Sequence, residues 1–235
     1  MSPVQWTSQR GRGCASNRDQ GGCFLAGCFD VGVVVDASQQ GASGEALARE
    51  LVAVVLAAAQ GECAPGPEQL SQALRVFHAQ SRFRYLHETA SYALAVRSST
   101  GAVWALVCGD CRVGLMEPGG AATQVLWLSP VHTLANALGQ TFDGHHARLP
   151  QRHLLTRCWN AKRFHLPELL HFAGGGQTLC LATDGFWLEH GGLGVHWSAL
   201  DDDASCLQLG AMVAKSVSAP VVSSDHDNFQ CLVRR

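Results

Sequence analysis

The sequence has few charged residues and no excess of either sign. Only 15% of its 235 residues are charged, and 17 Lys and Arg nearly balance 19 Asp and Glu, for a formal charge of −2. Such a chain lacks the basic surface with which proteins hold nucleic acid or acidic lipid, so we expect neither as a partner. The 47% hydrophobic content is enough for the core of a single domain over residues 1–235.

The chain also lacks a long apolar run and a cysteine scaffold. Residues 1–12 contain no apolar segment of the signal-peptide kind, and the most apolar stretch, 46–59, is too short to cross a bilayer. The ten cysteines are scattered, several of them in apolar stretches where a free thiol behaves as a small buried hydrophobe. Cys108 and Cys111 form one C-x-x-C pair without the second pair of a zinc site. These absences predict a reduced, cytoplasmic protein.

Hydrophobic patterning predicts strands and helices in separate groups. Apolar runs and period-two alternation predict strands at 22–36 (two strands), 90–97, 102–109, 112–117, 125–128, 178–183 and 228–233. Helical periodicity predicts helices at 41–59, 68–80, 131–138 and 200–217, the last with Asp201 to Asp203 at its positive end. Antiparallel runs of strands with grouped helices predict a layered α+β fold.

Three aspartates lie at the mouths of predicted strands. Asp36 ends the run VGVVVD, Asp184 ends TLCLATD, and Asp227 immediately precedes NFQCLV. A carboxylate in such a place is partly desolvated, and several brought together repel one another unless a divalent cation compensates them. For any one of these aspartates alone, the better explanation is a residue that turns the chain after its strand.

Short patterns around these aspartates appear in a recognisable order. They are SNRDQ at 16–20, VVVDASQQGASGEALA at 33–48, VCGDCRVGL at 107–115, SPVHTLANALG at 129–139, RHLLTRCWN at 152–160, LATDGFW at 181–187 and SSDHDNFQCLV at 223–233. In this order the sequence resembles the type 2C protein phosphatases, the metal-dependent serine/threonine class, over nearly its whole length. The resemblance implies a four-layer α-β-β-α sandwich, in which two packed, mainly antiparallel sheets are flanked by helices.

The resemblance also implies a site with two Mn²⁺ or Mg²⁺ ions and roles for named residues. Asp36 matches the aspartate that bridges the ions, and Ala37 matches the glycine whose carbonyl contacts one of them. Asp184 and Asp227 match the other direct ligands. Asp19 matches an acid that acts through water, and Asp110 matches a ligand of a further, weaker metal. Oxygen ligands suit these hard cations. The implied reaction is hydrolysis of phosphoserine or phosphothreonine on a protein by a hydroxide that bridges the ions. It needs no protein nucleophile, and the chain has no G-x-S-x-G motif.

Several positions depart from the family pattern. Cys14 stands where the family has an arginine that holds phosphate, and nearby Arg12 is the candidate replacement. Arg18 replaces an acid, Ala37 replaces glycine, and Gln230 stands where the last motif usually has threonine. These departures leave two hypotheses, an active phosphatase and a catalytically silent phosphatase-fold regulator that binds a phosphoprotein or another partner.

A polar segment at 140–163 offers further candidates for substrate binding. Its arginines are Arg148, Arg152, Arg157 and Arg163. Arginine forks suit phosphate, so this segment is either a receiving surface for a phosphorylated substrate or a solvated loop face.

Overall fold

Two β-sheets packed face to face form the centre of the molecule. The computed structural model describes residues 3–121, 124–212, 219–224 and 227–234. In chain order the strands are β1 (Val4–Gln9), β2 (Gln20–Leu25), β3 (Phe29–Ala37), β4 (Thr89–Ser98), β5 (Ala102–Cys108), β6 (Arg112–Met116), β7 (Leu126–Trp127), β8 (Trp159–Asn160), β9 (Glu168–Ala173), β10 (Thr178–Ala182), β11 (Ala204–Leu209), β12 (Val221–Ser224) and β13 (Phe229–Val233). The helices are α1 (Gly44–Ala59), α2 (Pro67–Ser81) and the short α3 (Gly144–Arg148).

The sheets are mainly antiparallel, as the resemblance predicts. One sheet has the order β12-β1-β11-β10-β6-β7, and the other has the order β13-β2-β3-β4-β5-β9 with β8 added beside β4. The two C-terminal strands are the exceptions, because β12 runs parallel to β1 and β13 runs parallel to β2. The α+β class and the packed pair of sheets are confirmed.

Strand β3 is buried on both faces, which explains its continuous β-branched run. Val31, Val33 and Val35 pack in one cluster with the apolar face of α1. Val34 points the other way, into the cluster between the two sheets, where it meets Leu207 from β11. The period-two alternation of a strand therefore serves two cores at once.

The two outer layers differ in kind. Helices α1 and α2 cover the outer face of the sheet that contains β3. The outer face of the other sheet is covered instead by short turns, including one π-helical turn at Gly185–His190, around a cluster with Phe186, Trp187 and Leu200. No helix in the described ranges is long and apolar enough to cross a membrane.

The helix predicted at 200–217 is wrong where the structure describes it. Residues 204–209 form strand β11 between β1 and β10, and residues 213–218 lie outside the described part. The physical reason is the pattern of burial: Ala204 and Cys206 pack in the outer cluster, while Leu207 and Leu209 pack between the sheets. That alternation is the period of a strand.

A buried ion pair ties β11 to the opposite sheet. Arg97 Nη2 lies 3.1 Å from Asp30 Oδ2, with 2% and 0% of the side chains exposed. The same guanidinium donates to the carbonyls of Leu209, at 3.1 Å, and Gly210 at the end of β11. Removal of one partner from such a pair costs about 3–5 kcal/mol, because the other charge stays buried. The pair thus stabilises the position of β11, whose opposite end reaches the site described next.

Candidate active site

Four of the aspartates singled out in the sequence lie at one edge of the sandwich. Asp19 precedes β2, Asp36 lies at the end of β3, Asp110 follows β5, and Asp184 follows β10. Strand pairing places these strand ends side by side, since Gln20 pairs with Val35 and Ala182 pairs with Arg112. The ends surround a cleft of about 490 Å³ lined by Asp36, Ala37, Ser91, Asp110, His153, Asp184 and Asp202, among others.

Hydroxyl groups hold two of these carboxylates in place. Thr183 Oγ1 donates to Asp19 Oδ2 at 2.8 Å, and Ser91 Oγ donates to Asp110 Oδ1 at 2.6 Å. The other oxygen of Asp19, Oδ1, is buried and has no hydrogen-bond donor among the described residues. The same is true of Asp184 Oδ1. Buried carboxylate oxygens without a donor are costly, so the site is built to receive a positive group.

Burial and mutual repulsion raise the pKa values of these aspartates. For Asp36, burial raises the pKa well above its ordinary value, and the charges of Asp19 and Asp184 raise it further. Burial is also the largest cause of the raised pKa values of Asp19, Asp110 and Asp184. One positive charge opposes them at Asp184, that of Arg152, whose Nη1 lies 3.9 Å from Asp184 Oδ2. When these carboxyl groups are ionised, the positive side chains of the cleft do not balance their charge.

Asp202 is a cleft residue that the sequence analysis did not assign to the site. It lines the cleft, and its charge acts on Asp36, Asp110 and Asp184. Its neighbour Asp203 is 3% exposed and accepts hydrogen bonds from the backbone N–H groups of Gly11 and Arg18. Both aspartates immediately precede β11, so they lie at the mouth of a strand as the other site carboxylates do. The alternation of residues 204–209 between the two faces of a strand is the sequence signal that indicates this position for Asp202 and Asp203.

Asp227 lies beside the site, two residues before β13, and it is exposed. The next residue, Asn228, is buried and donates through Nδ2 to the backbone carbonyl of Asp19 at 3.0 Å. The structure thus brings Asn228 to this edge, and the role of Asp227 as a ligand remains a prediction.

Two departures from the family pattern are accommodated by the backbone. Ala37 is 2% exposed and ends β3, and no residue other than glycine has a positive φ in the described ranges. A methyl group at this position therefore causes no backbone strain. The guanidinium of Arg18 donates through Nη1 to the carbonyl of Ser38 at 2.7 Å, next in the chain to Ala37. This bond fixes a positive charge at the rim of the cleft.

The predicted phosphate-binding region is arranged around the acidic segment 201–203. Arg12 is 63% exposed in its side chain and forms an ion pair of 3.0 Å with Asp201. Cys14 contacts Asp202 Oδ1 through its thiol at 3.7 Å. Burial, followed by repulsion from Asp203, raises the pKa of the Cys14 thiol to about 12, so it is a neutral thiol at physiological pH.

The donor set of the cleft fits a hard divalent cation. The side chains that face one another are carboxylates, and two of their buried oxygens lack a donor. Within the ranges that the structure describes, no group of three or more His, Cys, Asp or Glu side chains is close enough together to hold a metal ion. The fit therefore rests on the chemistry and the charge of the donors and on their unpaired oxygens.

Comparison with known proteins supports the fold. No protein-family model matches the sequence, and no curated protein matches it. Among solved structures, the serine/threonine phosphatase Stp1 from Staphylococcus aureus is similar, with 17% identity, 89% of this chain and 95% of that chain covered, and a TM-score of 0.68. The PPM Ser-Thr phosphatase MsPP from Mycobacterium smegmatis is similar with 16% identity, 88% and 97% covered, and a TM-score of 0.69.

A third similar structure is the serine/threonine phosphatase PstP/Ppp from Mycobacterium tuberculosis, with 18% identity, 88% of this chain and 97% of that chain covered, and a TM-score of 0.66. At these identities the likeness concerns the fold. Together with the cleft at the edge of the two sheets, it confirms the fold that the sequence resemblance implies. The chain has the fold of the PPM-type, or type 2C, serine/threonine phosphatases.

Proposed function

We propose that the chain is a metal-dependent protein phosphatase that hydrolyses phosphoserine and phosphothreonine. The observation that carries this proposal is the set of carboxylates around one cleft, with buried oxygens of Asp19 and Asp184 that lack a donor. Hydrolysis of a phosphate ester needs positive charge where the phosphoryl oxygens lie, and among these carboxylates bound cations would supply it. The similar structures named above are phosphatases, which supports the same reaction class.

The proposed cofactors are two Mn²⁺ or Mg²⁺ ions. Asp36, Asp184 and the Ala37 carbonyl would hold them together with a further aspartate, Asp227 or Asp202, while Asp19 and Asp110 would support them. Bound there, such ions supply a water of lowered pKa and neutralise charge on the phosphoryl group. The chain itself fixes the orientation of two supporting carboxylates, because Thr183 holds Asp19 and Ser91 holds Asp110.

Hydrolysis of an aryl phosphate with and without Mn²⁺ tests the proposal. We expect turnover that needs added Mn²⁺ or Mg²⁺ after treatment with a chelator, and we expect Asp184→Ala to lower it at least about 100-fold, since the variant loses a charged group of the cleft. A rate that is the same in chelator, or that Asp184→Ala leaves unchanged, contradicts the mechanism. Phosphoserine and phosphothreonine peptides then replace the aryl phosphate to test the substrate class.

Two arginines are the proposed contacts for substrate phosphate. Arg12 was assigned from the sequence, and Arg152 lies at the cleft, 3.9 Å from both Asp184 Oδ2 and Glu189 Oε1. We expect Arg152→Ala to raise the KM for a phosphopeptide about 10-fold and Arg12→Ala to raise it less, because Arg12 is exposed and paired with Asp201. Arg148→Ala, at an exposed position of α3, is the matched control. A larger effect at Arg148 than at Arg152 would contradict the assignment.

The second candidate function keeps the fold without turnover. The Arg18 guanidinium, bonded to the Ser38 carbonyl, adds positive charge beside the cleft and favours a silent regulator that binds a phosphoprotein or another partner. Calorimetry distinguishes the two functions, since Mn²⁺ binding without hydrolysis of any phosphopeptide supports the regulator. Absence of Mn²⁺ binding counts against the active phosphatase.

The proposed setting follows from the same function. The substrate would be a protein phosphorylated by a serine/threonine kinase, and the reaction would take place in the cytoplasm as part of signalling. All ten cysteines lie in the described part of the chain and are free thiols, which agrees with a reducing compartment. We also propose that residues 1–235 form one phosphatase-like domain.

A further inference from the structure

A second cavity lies on the outer face of the sheet that contains β6, away from the cleft carboxylates. Its volume is about 220 Å³. Its walls come from β6, β7, the start of α3 and the turn after Asp184, and they include Arg112, Trp127, Phe142, Gly144, Trp187 and Leu193. The phosphatase mechanism uses none of these side chains.

The distinctive feature of this cavity is the guanidinium of Arg112. The residue is only 8% exposed, and the described structure gives it no ion pair with a carboxylate. Its Nε and Nη2 both donate to one carbonyl, that of Ser129, at 3.2 and 2.9 Å. Asp143 also lines the cavity, but its carboxylate accepts the backbone N–H groups that begin α3. A buried cation without an anion is unfavourable, so the free side of this guanidinium is suited to a negatively charged ligand.

Aromatic rings surround the same charge. The guanidinium carbon of Arg112 lies 5.0 Å from the ring centre of Trp187 and 5.6 Å from that of Trp127. Phe142 meets Trp187 edge-on, with 5.3 Å between the ring centres. The three rings also line the cavity, so they offer apolar surface to a planar ligand, while the guanidinium offers hydrogen-bond donors to a carboxylate.

We propose that this cavity binds a small organic anion, namely a single aromatic ring that carries a carboxylate. The size supports this class, since 220 Å³ is below the roughly 300–1,000 Å³ of pockets for drug-sized molecules. The carboxylate pairs with Arg112, and the ring lies among Trp127, Phe142 and Trp187. Binding of this ligand does not depend on the proposed phosphatase activity.

The cavity is connected to the cleft through one shared residue. Trp187 Nε1 donates to the backbone carbonyl of Asp110 at 2.8 Å, and Trp187 follows Asp184 by three residues. A ligand that packs on Trp187 therefore contacts a residue that is hydrogen-bonded to the backbone of Asp110. This link rests on the proposed function and makes the ligand a modulator of hydrolysis.

Calorimetric titration of the chelator-treated protein with benzoate tests the site. Without metal, the acidic cleft repels the probe, so the titration reports the cavity. We expect a dissociation constant of about 1 mM or below, as ligand efficiency allows for a molecule of this size. Benzamide, the neutral analogue, is expected to bind at least 10-fold more weakly. Equal binding of benzamide and benzoate would overturn the role of Arg112.

Two variants and a matched control separate the site from general effects on folding. Arg112→Met is expected to weaken benzoate binding at least 10-fold. Gly144→Leu is expected to abolish it by filling the cavity, and a Cβ at Gly144 meets no atom within 4 Å, so the fold is not disturbed. Gly176→Leu is the control, since a Cβ there is equally free and Gly176 does not line the cavity. Benzoate binding by Gly144→Leu at the wild-type affinity refutes the proposal, whatever the phosphatase activity.

Discussion

Replacement of Asp36 by asparagine is expected to abolish metal-dependent hydrolysis and to raise the melting temperature of the metal-free protein. The two effects have one cause. Burial and the charges of Asp19 and Asp184 raise the pKa of Asp36, so its carboxylate is repelled whenever no cation compensates it. Asparagine keeps the shape and removes the charge. We expect the rate to fall at least about 100-fold and the metal-free protein to melt a few degrees higher, at roughly 2–4 °C per kcal/mol for a chain of this length.

The stability effect of Asp36→Asn is expected to depend on pH. A carboxyl group whose pKa is higher in the folded state than in the unfolded state binds more protons when folded. The stability of the metal-free protein therefore falls as the pH rises above the ordinary aspartate pKa of about 3.9. The advantage of Asp36→Asn is expected to grow from pH 5 to pH 8, and added Mn²⁺ is expected to reverse it by stabilising only the wild type.

Thermal melts of both proteins at pH 5 and pH 8, in chelator and in Mn²⁺, provide the measurement. Glu62→Gln is the matched control, because it removes one negative charge from an exposed position far along the chain from the cleft residues. We expect it to change neither the melting temperature nor the rate by a measurable amount. A lower melting temperature for metal-free Asp36→Asn at pH 8 would show that the carboxylate is stabilising, and the account of the cleft would fail.

The elements that the sequence predicts well are those with one clear period. The run VGVVVD is apolar on both faces because β3 lies between α1 and the second sheet, and α1 carries the helical stripe of residues 47, 51 and 55. Asp36 and Asp184 could be placed at strand ends from the sequence, because one ends such a strand and the other follows one, whereas their roles as ligands are implied only by the family resemblance. The prediction fails where two periods compete, as in residues 200–217, whose apolar content fits a helix as well as a strand. Only pairing of β11 with β1 and β10 decides between them.

Other features of the site depend on contacts between distant residues, which a single sequence does not reveal. Arg152 reaches Asp184 from the short 3₁₀ helix Pro150–His153, and nothing in the pattern of 140–163 distinguishes it from the three other arginines there. Arg112 lies in a motif that matches the family. Only the three-dimensional surroundings of Arg112 show that it has no ion partner among the described residues. The sequence does not assign Asp202 to the site for the same reason that it does not predict β11. The position of Asp202 at the cleft follows from this strand, which begins two residues later.

The last prediction compares Asp202 and Asp227, the two candidates for the last ligand position of the proposed metal site. Asp202 lines the cleft and its charge raises the pKa values of Asp36 and Asp184, whereas Asp227 is exposed and is not among the residues that line the cleft.

We expect Asp202→Asn to weaken Mn²⁺ binding at least about 10-fold and to lower the rate of hydrolysis about 100-fold. We expect Asp227→Asn to change the Mn²⁺ affinity and the rate by less than about 3-fold. Calorimetry with Mn²⁺ measures the first quantity, and the aryl phosphate rate measures the second. Asp201→Asn, next in the chain and exposed, controls for the loss of a charge in the same segment. If Asp227→Asn instead causes the larger loss of Mn²⁺ binding and hydrolysis, Asp227 before β13 is the ligand, as the family resemblance implies. The acidic segment before β11 then only shapes the rim of the cleft.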